Sequence, residues 1–349
     1  MRFSTGFFWV AFVAFVLTSG CATRVRRPAG SDPAIEMERR EQLKLSLSLL
    51  LERQVRAWKV GNRIRRAGAN LCANDVRYTF GFFAVDRQTF GKEYREIAGE
   101  IGLESGVRIW EVLPEFQSPE TELKRGDEIL EIDGEAVWDL RSFERAIQGP
   151  FEIGQLRMKL RRTPGDEIFV HLDGALACDY RAGVVEKDGV NAFADGKNVF
   201  LTTGMMRFVD SDDELALVLG HEFAHNRLGH LRQMRAQMLA GLLVDLAVAV
   251  FAGVDTGGLF TQLARIPFSE EFEAEADYVG LYFAARAGYD IYMAPNFWRR
   301  MAVEHPGSIR ENMMATHPST PERAVGLQKS IAEIEAKRID DQPVIPEFK

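Results

Sequence analysis

His221-Glu222-Phe223-Ala224-His225 spells H-E-x-x-H, and that spacing restricts the possible folds more than any other feature of the chain. On a helix the imidazoles four residues apart lie on one face, one turn from each other. They offer part of the ligand set of a tetrahedral zinc ion, and Glu222 sits about 100° around the helix, where it reaches a water on the metal rather than the metal. The residues before the motif favour a helix. Asp212 opens an acidic first turn, Leu215, Val218 and Leu219 recur at helical spacing, and no Pro or Gly intervenes before Gly220. A further protein ligand must come from elsewhere, so the fold has to press another element against this helix at the ion. By itself the pentapeptide fits equally a helix with solvated histidines.

Phe272 to Tyr282 reads as another helix, carrying Glu273, Glu275 and Asp277. Glu273 and Asp277 face the same way. With Glu273 on the metal, Asp277 is placed to accept the outer N–H of a ligand histidine and fix its tautomer. Spacing alone does not select Glu273 over Glu270, Glu271 or Glu275, and an acidic run also suits a solvated helix face. His230 falls about 180° around a continuous helix from His221, which predicts a structural role. His171 and His305 stand alone and are expected to be exposed or satisfied.

The stretch Ser269 to Asp277, S-E-E-F-E-A-E-A-D, resembles the S-R-x-x-E-x-x-A-D signature of the metallopeptidase family that includes the CAAX prenyl proteases, HtpX-type and Oma1-like proteases. The resemblance spans roughly residues 175 to 330. Asn191 to Met206 is similar to the family's strand pair before the active helix, and Thr316-His317-Pro318 to its later H-P element. Glu270 departs, standing where the family has Arg. The resemblance implies an α+β fold: a mainly helical zincin-type domain with a small β-sheet. It implies one Zn2+ per chain on His221, His225 and Glu273, Asp277 behind the ligands, and Glu222 as general base. His317 is the candidate partner of the oxyanion, and an alternative role, occupying the fourth zinc position, stays open. Arg323 is a further oxyanion candidate, or a surface charge on the last helix. Val199 to Thr203 is predicted to be an exposed edge strand that pairs with substrate.

A chain of 349 residues with 46% hydrophobic residues suits a pair of domains. Net charge is −8, and no basic stripe extends beyond Arg24–Arg27 and Arg63–Arg66, which argues against a nucleic-acid partner. Arg2, the apolar run Phe7–Leu17 and Ser19-Gly20-Cys21 resemble a bacterial lipoprotein signal peptide over residues 1–20, with Cys21 lipidated. An uncleaved anchor is disfavoured because the apolar run is shorter than the ~20 residues of a span. Ala22 after Cys21 implies the outer membrane, so the expected location is the periplasmic side of a bacterial envelope. Cys72 and Cys178 then form an even pair in an oxidising compartment, predicting a disulfide, with free buried thiols as the alternative.

Residues 78–172 break into short strand-like runs around Gly126-Asp127 and Asp133-Gly134, with an amphipathic helix over Leu140–Ile147. Their order resembles an inserted PDZ domain, with Tyr78 to Phe82 at the start of its carboxylate-binding loop. An insertion that only packs against the peptidase is the alternative. Residues 21–77 read as an N-terminal helical segment, with Leu43, Leu45, Leu49, Leu50 and Val55 as core candidates. Residues 173–335 are the expected catalytic domain and 336–349 a tail. Met238–Ala252, apolar except for Asp245, reads as a buried helix or a lip resting on a membrane, since Asp245 at a bilayer centre costs roughly 3 kcal/mol. Gly253–Gly258 follows as a loop.

The combined expectation is a lipid-anchored zinc endopeptidase acting on unfolded or misassembled envelope polypeptides in quality control. The competing expectation is an anchored PDZ-containing assembly factor with little proteolysis.

Overall fold

A computed structural model describes residues 31–117, 123–163, 165–247, 270–304 and 321–347. The expected signal peptide with Cys21, the Gly253–Gly258 loop, His305 and His317 lie outside these residues. The chain opens with α1 (Asp32–Ala67), then β1 (Val76–Thr79), β2 (Phe82–Asp86), α2 (Lys92–Ile97), β3 (Val107–Val112), β4 (Glu128–Ile132) and β5 (Glu135–Ala136). It continues through α3 (Leu140–Ala146), α4 (Gln148–Ile153), β6 (Gln155–Arg162), β7 (Asp166–Asp173), β8 (Ala175–Cys178), β9 (Arg181–Val185), β10 (Ala192–Ala194) and β11 (Asn198–Thr202). The remaining elements are helices: α5 (Thr203–Phe208), α6 (Asp212–Leu228), α7 (His230–Ala247), α8 (Glu270–Arg286), α9 (Ala294–Glu304) and α10 (Pro321–Ile339). Of the described residues, 31–42 form one unit and those from Leu43 onward another.

The strands β2-β3-β4-β6-β7 form one antiparallel sheet, with β5 paired to β4. The alternation along β6 places Leu156, Met158 and Leu160 in its core with Ile109, Ile129 and Ile132. A separate core joins α5, α6, α8 and α10 to the small sheet β10-β11-β9. Helix α1 contributes Leu50, Ala57, Val60 and Ile64 to this core, while Leu47 and Leu51 face Val85 and Trp110 instead. Leu45, a predicted core residue, is exposed. Asn62 and Arg65 are buried because each has a partner: Asn62 donates to Thr79 Oγ1 (3.0 Å) and Arg65 Nε to the Cys178 carbonyl (2.7 Å). Cys72 and Cys178 form the disulfide, 106 residues apart, beside the β1–β8 pair.

The predicted edge strand is corrected. β11 lies between β10, antiparallel, and β9, parallel, with Val199 and Leu201 fully buried. The outer side of β9 is taken by Gln54 of α1, whose Nε2 donates to the Val184 carbonyl (2.7 Å) while its Oε1 accepts from Val184 N (3.0 Å). Among the described residues, that leaves β10 as the outermost strand, packed along α6.

No described helix is long and apolar enough to cross a membrane. In α7, Leu239, Leu242 and Leu243 are exposed and Asp245 is buried, so that part of the expected Met238–Ala252 segment is not a buried helix, while its residues 248–252 lie outside the described residues.

Helices α6 and α8 meet backbone to backbone. A Cβ on Gly220 would stand 2.5 Å from the Gly280 carbonyl oxygen, and one on Gly280 2.8 Å from the backbone of His221. Gly280→Ala is therefore expected to destabilise the protein by ~1–3 kcal/mol. Gly326→Ala, on an open face of α10, is expected to be neutral or stabilising by up to ~1 kcal/mol. Urea unfolding of both variants checks this, and equal midpoints would contradict the close contact.

Candidate metal centre

Ser211 caps α6, its hydroxyl accepting from Glu214 N, and the helix runs unbroken through His221 and His225 until Gly229 adopts a left-handed conformation (φ 68°). Glu273 lies in the first turn of α8, where the helix dipole favours a carboxylate. The rings and the carboxylate converge in the buried seam between the helices. His221 Nε2 and His225 Nε2 are 3.0 Å apart, and each lies 3.4 Å from an oxygen of Glu273. A tetrahedral ion with bonds of about 2.0–2.1 Å spaces its ligand atoms about 3.3–3.4 Å apart, so the cluster has the dimensions of a zinc site. Among the described residues, His221, His225 and Glu273 form the one group with this property. Glu273 is fully buried, whereas Glu270, Glu271 and Glu275 are exposed, so of these four it is the carboxylate that faces both imidazoles.

The outer ring nitrogens are engaged as well. His221 Nδ1 is 3.0 Å from Asp277 Oδ1, so its proton sits there and Nε2 presents a lone pair inward. Asp277 is gripped by Arg323, whose Nε and Nη2 donate to its oxygens at 2.7 Å each, while Nη1 lies 3.0 Å from Glu273. The guanidinium stacks over Trp298 (4.8 Å), which also abuts the His221 ring. Arg323 is thus no surface charge: it is buried and committed to Asp277 and Glu273.

Electrostatics follow from this geometry. Burial penalises charge on the His221 ring, but the Asp277 and Glu273 carboxylates outweigh it and push its pKa up to about 9. Burial also opposes charge on Asp277, yet Arg323 and His221 hold it below the usual aspartate value. Arg323 is held above its ordinary value by Asp277, Glu273 and Glu222, against its own burial. Glu222 is buried beside His221. With the imidazoles neutral, as they are when they ligate a metal, the carboxylates of Glu222, Glu273 and Asp277 against the one guanidinium of Arg323 leave a buried excess of two negative charges, which a divalent cation would neutralise.

His230 stands outside the His221–His225–Glu273 group, in line with the structural role expected of it, but not on the opposite side of a continuous helix: Gly229 ends α6 and turns the chain, so the buried His230 ring returns to His225 (Nδ1 to Nδ1, 2.9 Å). His171 lies exposed on β7, as expected.

A family model described as Peptidase family M48 matches residues 158–331, from within β6 to α10, and the chain carries a domain of that metallopeptidase family. Similar proteins include a mitochondrial metalloendopeptidase OMA1 of Arabidopsis thaliana, 32% identical over 44% of this chain and 31% of its own length. A metalloendopeptidase OMA1 of Danio rerio is 32% identical over 45% of this chain and 36% of its own. A beta-barrel assembly-enhancing protease of Yersinia pestis is 30% identical over 54% of this chain and 42% of its own. The chain thus spans well under half the length of these curated relatives.

Arg323→Met is expected to cost ~3–5 kcal/mol in the metal-free protein, because it strands the Asp277 and Glu273 carboxylates in the interior. Denaturant unfolding after chelation measures this, and a change below ~1 kcal/mol would contradict the clamp.

Proposed function

We propose that the protein is a zinc-dependent endopeptidase. The observation that carries this is the convergence of His221, His225 and Glu273 at zinc-ligand spacing, with the Glu222 carboxylate buried alongside. The donor set suits zinc: imidazole nitrogens whose outer N–H groups are occupied, a carboxylate, and a charge deficit of the right size. When bound, zinc supplies a Lewis acid and lowers the pKa of a coordinated water. Glu222 accepts the proton of the attacking water on its carboxylate and delivers it to the leaving amine. Asp277 and Arg323 hold the His221 ring and Glu273 in place, and His317 is the sequence's candidate to meet the oxyanion.

Substrate is proposed to add to β10 as an extended strand, since β9 is covered by Gln54 and β11 is interior. We assign residues 78–172 to a PDZ-like domain that holds polypeptide. Supporting this is a cavity of about 260 Å³ beside β2 and α3, lined by Phe80, Phe82, Phe143 and Phe151 with Arg77 and Arg181. The substrates are proposed to be misassembled envelope proteins, met at a bacterial outer membrane where lipid on Cys21 tethers the chain. Likeness to a protease named for enhancing beta-barrel assembly supports this.

Glu222→Gln is expected to lower hydrolysis of an unfolded, casein-like substrate by about 10²–10⁴-fold while retaining stoichiometric zinc. His225→Ala is expected to lose the metal. Metal analysis with a proteolysis assay decides, and normal cleavage by Glu222→Gln would remove the mechanism.

A further inference from the structure

Each ligand histidine has a nitrogen turned away from the metal cluster, and the structure gives the two nitrogens different partners. His221 faces Asp277 directly. His225 faces another imidazole, His230, at 2.9 Å between Nδ1 atoms, and His230 Nε2 lies 3.2 Å from Glu275 Oε2. His230 is completely buried and its ring stacks on Phe272 (centroids 4.3 Å, planes 13° apart), so it is fixed in orientation as well as position. Glu275 is about half exposed, with a side-chain accessibility of 48%.

The proton pattern of this chain has a single solution once His225 ligates through Nε2. Its Nδ1 must then carry the proton, and His230 Nδ1, facing it, must be the acceptor. A neutral His230 therefore bears its own proton on Nε2, which donates to the Glu275 carboxylate. The ligands' supports share an origin: Asp277 and Glu275 both project from α8, the helix that supplies Glu273.

We propose that His230 and Glu275 are positioning residues for the metal centre, orienting His225 and fixing its tautomer through an imidazole relay, as Asp277 does directly for His221. This rests on the zinc site proposed above. The relay makes His225 a stronger ligand by placing a carboxylate, through one ring, behind its N–H. It also explains why a histidine should occupy a fully buried position immediately after the helix-ending glycine: a smaller or apolar side chain would leave the His225 N–H facing no acceptor.

The test uses the full chain, freed of metal by chelation and titrated with zinc against a chromophoric chelator. Asn at 230 puts its amide oxygen where Nδ1 stands, and Gln puts its amide nitrogen where Nε2 stands, so the pair separates the arms of the relay. His230→Ala and His230→Gln are expected to weaken zinc binding about 10–100-fold. His230→Asn and Glu275→Ala each keep an acceptor for the His225 N–H but lose the carboxylate behind it, so both should fall between wild type and His230→Ala. In cobalt-loaded protein the visible absorption bands should shift in His230→Ala and move back toward wild type in His230→Asn, which a purely structural role would not produce. Wild-type zinc affinity in folded His230→Ala, or equal affinities of the Asn and Gln variants, would overturn the proposal. Should His230→Ala fail to fold, Glu275→Ala, altered at a half-exposed side chain, decides: unchanged zinc affinity overturns the relay and weakened affinity supports it. Wild-type protein that takes up no zinc would instead remove the enzymatic reading itself, and this inference with it.

Discussion

His221, His225 and Glu273 converge because α6 and α8 approach more closely than side chains ordinarily permit. Packed helices usually keep their axes about 8–10 Å apart. Here Gly220 and Gly280 remove the Cβ atoms at the crossing, so one backbone lies on the other immediately beside His221. That contact also sets the register. Glu273, Asp277 and Gly280 are spaced i, i+4 and i+7, so the glycine that touches α6 shares a stripe with the ligand carboxylate and the carboxylate behind His221. A rotation of α8 by one residue would turn the stripe away by about 100° and disperse the site.

The close crossing brings with it a concentration of buried charge that the rest of the fold has to manage. Arg323 comes from α10, nearly fifty residues beyond Asp277, and makes a forked contact with it, the geometry in which guanidinium and carboxylate bind most specifically. It does not balance the site. Three buried carboxylates against one guanidinium leave room for a divalent cation, and without one His221 is drawn toward holding a proton. A divalent cation bound there would offset that charge, and its binding and the packing of α6 against α8 would strengthen each other.

What could be read from the sequence divides along a physical line. His221, Glu222 and His225 were legible because one helix dictates their relative placement. Glu273 needed the family signature, since a run of acidic residues looks alike from spacing, and burial is what distinguishes it. The position of His230, though not its place outside the ligand group, escapes helical spacing because Gly229 ends α6 in a left-handed conformation; a glycine just after the last periodic residue is the sequence signal for that turn. Arg323 was open to a surface reading because its partners lie on another helix and no local pattern encodes them. The strand over Val199–Leu201 was recognised, but its place in the sheet depends on β9 and β10 pairing on either side, a nonlocal fact. The disulfide is legible once the resemblance of residues 1–20 to a lipoprotein signal sets Cys21 aside and leaves an even pair for an oxidising compartment.

The disulfide acquires its meaning from what surrounds it. Cys72 and Cys178 close the base of the sheet domain, and Arg65 of α1 donates to the Cys178 carbonyl. On the other side Arg227, two residues beyond His225, donates through Nε to the carbonyl of Leu71, the neighbour of Cys72. The covalent staple at the root of the sheet domain is thus bonded to the last turn of the ligand helix. Cross-linking across 106 residues confines the unfolded chain, a stabilisation the chain-entropy view puts at about 4–5 kcal/mol. Its position matters more here. The bridge ties both connecting segments to each other and Arg227 ties them to α6, so the root of the sheet is held beside the helix that carries His221 and His225.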